Sequence, residues 1–251
     1  MNNAFLENYL KRVGSKNPGL VEALEKSANE FAKKHIDTFD HNSHVSGLLY
    51  GHVQSGKTGQ MLAIAAAAAD RGFKFFILVT TDNVILHKQT LERAKNSLGG
   101  FMAGFNVLGE TDEEAFLTRG LSMPTILVLK KNSGVLKTWC NNIATNPIYK
   151  EEPLFLLDDE ADASSLNTKV NQDDQSTINM LLEKINKQAP SSIYLHVTAT
   201  PQSLVLQIEM SGWKPQYSYY LPPNKGYLGG DFFYGEDSNN LIVTEDNERD
   251  D

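Results

Sequence analysis

Five short, nearly continuous apolar runs, separated by longer helical stretches, limit this chain to very few architectures. The runs are Gly47–Tyr50 (GLLY), Phe75–Thr80 (FFILVT), Thr125–Leu129 (TILVL), Leu154–Asp158 (LFLLD) and Ile193–Thr198 (IYLHVT). Strands covered on both faces read this way, because neither face has to be polar. Helical candidates lie between them at Lys57–Asp70, Val84–Ser97, Gly134–Ala144 and Thr177–Gln188. Alternation of this kind predicts an α/β chain with a doubly wound, mainly parallel sheet and helices on both faces. Ligands of such sheets bind at the carboxyl ends of the strands. The alanine run Ala65–Ala69 lies on the first of these helices, where small side chains permit close packing on the sheet.

Residues 4–39 precede this pattern and place Leu20, Leu24 and Phe31 at helical spacing, with Pro18-Gly19 between a short helix and a longer one. His41-Asn42-Ser43-His44 is a polar connector. The expected organisation is therefore an N-terminal helical segment over 1–44 and an α/β lobe over 45–210. An irregular extension over 211–251 follows, broken by Pro215, Pro222-Pro223, Gly226 and Gly229-Gly230. The 251 residues suit one large domain with an appendage.

Directly after the first apolar run, Gly51-His52-Val53-Gln54-Ser55-Gly56-Lys57-Thr58 matches G-x-x-x-x-G-K-[ST] and opens the first helix. In that setting the backbone N–H groups of Gly51, His52, Val53, Gln54, Ser55 and Gly56 wrap phosphates, helped by the positive end of the helix dipole. Lys57 reaches the β- and γ-phosphates of ATP, and the Thr58 hydroxyl binds Mg²⁺. The fourth run ends in Asp158-Asp159-Glu160-Ala161-Asp162. Phosphoryl transfer needs one carboxylate to hold Mg²⁺ and a second to orient the attacking water. Asp159 fits the first role and Glu160 the second. Asp158 competes for the metal-facing register, which spacing alone leaves open.

Asp159-Glu160-Ala161-Asp162 spells the DEAD box of superfamily 2 helicases, and Thr198-Ala199-Thr200-Pro201 ends the next run. The latter resembles the S/T-A-T motif that couples nucleotide state to nucleic-acid binding in that superfamily, which assigns coupling to Thr198 and Thr200. Taken with Val53–Thr58, Asp159–Ser164 and Pro223–Phe233 (PNKGYLGGDFF), the chain resembles the Z1-domain family of helicase-like ATPases in bacterial and phage-defence or restriction-associated systems. The resemblance implies a RecA-like P-loop NTPase lobe that binds ATP and Mg²⁺ and acts on nucleic acid; DNA is expected ahead of RNA, though the sequence does not distinguish the two. It also implies a second RecA-like lobe, in cis or in trans, and defence partners such as a nuclease or methyltransferase. Thr81 and Asn83 then correspond to nucleic-acid-contacting residues after the second run, with Lys130 and Lys131 adding contacts after the third. In superfamily 2 motors the second lobe supplies an arginine finger. This chain has five arginines and no second P-loop-like series, so it reads as the first half of a longer protein or as a lobe completed by another subunit. A nucleotide-gated switch or assembly module is the alternative function.

Other chemistries find little support. Cys140 is the sole cysteine, which excludes clustered-thiol zinc sites, and no Ser-His-Asp or histidine ligand spacing stands out. The longest apolar run, Met61–Ala69, is nine residues, short of a membrane span, and the N-terminus lacks a secretory pattern. A cytoplasmic protein without membrane partners is expected. The formal charge of −8 argues at first against a nucleic-acid surface, but residues 235–251 alone carry −6. The body is therefore close to neutral.

Overall fold

The computed structural model describes residues 4–51, 56–100, 103–162, 171–202 and 214–222; the side chains of 171–176 fall outside that description. Seven strands form one sheet: β1 (His44–Gly51), β2 (Phe75–Thr80), β3 (Asn106–Gly109), β4 (Thr125–Lys130), β5 (Leu154–Asp158), β6 (Ser192–Thr198) and β7 (Tyr217–Leu221). Their order is β3-β4-β2-β5-β6-β1-β7, and every neighbouring pair is parallel. The chain is an α/β protein with an all-parallel sheet and helices on both faces.

Among the described residues the α-helices are α1 (Ala4–Gly14), α2 (Val21–Phe31), α3 (Lys57–Ala69), α4 (Val84–Leu98), α5 (Glu113–Thr118), α6 (Ser133–Thr145), α7 (Pro147–Lys150) and α8 (Asn171–Gln188). Strand alternation divides the core. Phe76 and Leu78 of β2 pack with α1 to α4, whereas Phe75, Ile77 and Val79 pack with α5 to α8. The handedness of parallel crossovers explains the split. The connection from β1 through α3 to β2 runs one way along the sheet, those through α6 and α8 run back, and right-handed turns of opposite sense lie on opposite faces.

Helix α3 is apolar on every side, and Met61 to Ala68 are fully buried. The sheet covers one side, and α1 and α2 cover the other. The N-terminal helices thus form a third layer in the same core. They are pinned to α3 by polar contacts: the Tyr9 hydroxyl donates to the Gly59 carbonyl at 2.7 Å, and Ser27 donates to Gln60 Oε1. The Asp70 carboxylate, just beyond α3, accepts from the Phe5 and Leu6 amides and so caps α1 across the fold.

Among the described residues, the sequence pattern finds five of the seven strands and misses the two at the edges. Residues 217–221 lie in the stretch expected to be irregular, yet they form β7, paired in parallel with β1. Prolines at 215 and 222 flank this strand, which an edge position tolerates. Tyr217 seats its ring against Gly47, where a Cβ would stand 2.3 Å from Tyr217 Cζ, and His35 stacks on the ring at 3.8 Å. Only glycine at position 47 leaves room for that ring.

Among the described residues, no helix is long and apolar enough to cross a membrane.

Candidate nucleotide site

Parallel pairing brings the ends of β1, β6 and β5 together in that order. The start of α3, Thr198–Thr200 and Asp158–Asp162 therefore share one edge of the sheet. Gly56 stands immediately before α3 with φ +84°, a left-handed conformation that glycine adopts without the clash a Cβ would introduce. Lys57 follows as the first helical residue, half-buried. Burial pulls its pKa down, while the charges of Asp159, Asp162 and Glu160 oppose that shift. The cation and the acidic turn are thus within electrostatic reach. Thr58 follows on the first turn of α3. Residues 52–55, part of the predicted phosphate loop, lie outside the described residues, as do Ala163 and Ser164 and the Pro223–Phe233 segment.

The acidic turn divides its side chains between interior and surface. Asp158, the last residue of β5, is 4% exposed. Its Oδ1 is 2.8 Å from Lys131 Nζ, and its Oδ2 accepts from the Tyr194 hydroxyl at 3.3 Å. His196 stacks on Tyr194, and burial lowers its pKa to about 4, which leaves the imidazole neutral near pH 7. Asp159 donates its amide to Val79 O at 2.9 Å, and its Oδ1 accepts from the Glu160 amide at 3.1 Å. Glu160 is exposed with φ +51°, a strained backbone for a residue with a side chain. Asp162 accepts from the Thr200 hydroxyl, and Thr198 Oγ1 accepts from the Thr200 amide at 2.9 Å. The two motifs at the ends of neighbouring strands β5 and β6 are therefore directly bonded.

Burial, reinforced by the neighbouring Glu160 charge and opposed by Lys131, pushes the Asp159 pKa up to about 6. An unfolded Asp titrates near ~3.9, so between roughly pH 4 and pH 6 the folded chain keeps a proton that the unfolded chain has lost. Stability falls as pH rises through that window, and the full penalty persists above it. The Asp159→Asn variant is expected to melt at a higher temperature than the parent at pH 7.5. The gap should shrink toward pH 4; parallel melting curves across this range test it, and a variant that melts lower at pH 7.5 contradicts it.

The other residues expected to touch nucleic acid are occupied locally. Asn83 caps α4, accepting from the Ile85 and Leu86 amides at 2.9 and 3.1 Å, and Thr81 Oγ1 accepts from the Asn83 amide at 3.1 Å. Lys130 pairs with Glu110 at 3.2 Å. Lys131 is 8% exposed and faces inward, away from any polymer on the surface. A doublet of lysines after a strand gives no sign of this, because the contact depends on which strand ends lie nearby.

A cavity of about 530 Å³ opens beside Gly56 and Gly59, between the turn after α1 and helix α4. Tyr9, Arg12, Lys16, Gln89 and Arg93 help line it. Its size falls in the range of small-molecule sites. The sequence held no signal for it, since its walls come from segments far apart in the chain. Among the described residues, no group of three or more His, Cys, Asp or Glu side chains converges on a metal position. A hydroxyl, one carboxylate, waters and nucleotide oxygens are enough to hold Mg²⁺, so the donor set of Thr58 and Asp159 fits that ion.

No protein-family model matches the chain, and no curated protein matches it in sequence. Among solved structures, the chain is similar to the Hef helicase domain of Pyrococcus furiosus, with 16% identity and a TM-score of 0.48 over 79% of this chain and 38% of that one. It is similar to the ORC2 protein of Aeropyrum pernix in ADPNP–ADP complexes, with 15% identity and a TM-score of 0.43 over 78% of this chain and 47% of that one. It is also similar to a chain of the E. coli MS115-1 HORMA:CdnC:Trip13 complex, with 14% identity and a TM-score of 0.35 over 85% of this chain and 66% of that one. These are distant likenesses of fold, and the chain spans less than half the length of the first two.

Proposed function

We propose that this chain is the ATP-binding and ATP-hydrolysing first lobe of a superfamily 2 helicase-like protein of the Z1 type, acting on nucleic acid in a defence or restriction setting. One observation carries the reading: Gly56-Lys57-Thr58 opens α3 on the same sheet edge as the acidic turn, within electrostatic reach of it. A phosphate-holding cation, a metal-holding hydroxyl and carboxylate, and an exposed second carboxylate are the parts that phosphoryl transfer to water requires.

In this reading Lys57 binds the β- and γ-phosphates, and Thr58 and Asp159 hold Mg²⁺, which supplies charge neutralisation at the phosphate oxygens when bound. Glu160 accepts a hydrogen bond from the attacking water and takes its proton. The cavity beside Gly56 accommodates the base and ribose, with the Arg12, Lys16 and Arg93 charges on its walls. The Thr200 to Asp162 bond links the acidic turn to the end of β6, so a change at the phosphates reaches Thr198 and Thr200. The lobe alone binds ATP better than it hydrolyses it, and a second RecA-like lobe completes the site.

The local engagement of Thr81, Asn83, Lys130 and Lys131 favours a second reading, in which nucleotide binding gates a protein interface and nothing moves along a polymer. ATP turnover of the protein with its second lobe, measured with and without added DNA or RNA, separates the two. Stimulation by either polymer is expected, and a rate indifferent to both favours the switch.

A further inference from the structure

The buried ammonium of Lys131 has three oxygen partners, all on the segment that begins at the end of β5. It lies 2.8 Å from Asp158 Oδ1, and it donates to the carbonyls of Asp159 at 2.9 Å and Glu160 at 2.8 Å. Its own backbone belongs to the end of β4, where its amide donates to Thr80 O at 2.8 Å. Strand β2 lies between β4 and β5, so the side chain reaches across a neighbouring strand end. Two strand spacings amount to about 9–10 Å, which only a long side chain can bridge.

We propose that Lys131 is a positioning residue that sets the register of the acidic turn, holding Asp158 inward and presenting Asp159 and Glu160 to the nucleotide. The inference rests on the ATPase reading for its catalytic consequence, and on geometry alone for its structural one. Three acids in succession could present any of their carboxylates to a metal. The ion pair at Asp158 removes one from contention, and Tyr194 engages the other oxygen of the same carboxylate. The two carbonyl contacts then hold the backbone where Glu160 departs from ordinary conformation, at φ +51°. Without a cation there, the carbonyls of Asp159 and Glu160 lose their shared donor and the turn is free to relax. Removing Lys131 alone also strands the Asp158 carboxylate in the interior, which is strongly destabilising. A variant that neutralises both partners separates positioning from folding.

The experiment compares the parent, Lys131→Met, and the double variant Lys131→Met/Asp158→Asn. Amide hydrogen exchange, read without nucleotide, is expected to show lost protection at Asp159 and Ala161 in the double variant, while amides in the middle of β6 stay protected. ATP turnover is expected to fall about 100-fold in kcat, as for a small misplacement of catalytic groups, with KM for ATP within about threefold of the parent. If Lys131→Met does not fold, the double variant decides. Unchanged protection at Asp159 and Ala161 overturns the proposal, and so does parental kcat in a folded double variant. Turnover is read on the protein with its second lobe; a parent without turnover in that form would retire the ATPase reading instead and leave hydrogen exchange to decide the positioning role.

Discussion

Replacing Lys57 with Ala is expected to weaken ATP binding by about 100-fold or more, close to 3 kcal/mol or beyond. The lysine is the first residue of α3, half-buried and within electrostatic reach of three carboxylates. Without nucleotide it counterbalances that acidic surface; in the proposed reading it meets phosphate oxygens as a charge-assisted donor once nucleotide binds. Alanine removes the donor and leaves Mg²⁺ as the remaining counter-charge between the phosphates and Asp159, Glu160 and Asp162. The fold itself should tolerate the change, because alanine suits a helix start of this kind and the side chain carries no part of the apolar core. Calorimetric titration with ATP and Mg²⁺ tests it, with thermal melting as the control for folding. Equal affinities in parent and variant would remove the phosphate-binding role from this loop.

The Glu160→Gln variant tests the other half of the reaction. Glu160 is exposed beside the half-buried Asp159, and glutamine keeps its shape while removing its ability to accept a proton. A general base contributes typically ~10²–10⁴ in rate, so kcat should fall by about that factor while ATP affinity is retained. In the proposed reading the charge stabilisation comes partly from a second lobe, so the measurement is made with that lobe present. Normal turnover there would pass the role to another acid. Of the neighbours, Asp158 is the least able to assume it, since its carboxylate is buried against Lys131 and Tyr194.

How far the fold and the site could be read in advance depended on how local each signal was. Strands β1, β2, β4, β5 and β6 are buried on both faces, so their apolar runs announced them. Edge strands β3 and β7 are short, and β7 alternates exposed and buried positions in a proline-flanked stretch, which resembles a loop to any pattern of continuous burial. Helix α3 could be found by its alanines, but its complete burial could not, because the covering layer comes from α1 and α2. Asn83 carried an interpretable sign of its structural role, a capping residue just before Val84-Ile85-Leu86. Lys131 carried none.

The sequence by itself determined the αβ alternation, the glycine–lysine–threonine opening of α3, and the presence of an acidic strand end, because each is written in residues adjacent along the chain. Tertiary structure decided which acid turns inward and which lysine is buried. It also decided that the motifs after β5 and β6 touch through Thr200 and Asp162. Those outcomes depend on strand order: β5 lies between β2 and β6, and β4 is one strand farther out. Linear spacing does not encode that order. A long cation reaching across β2 makes sense only once the sheet is assembled.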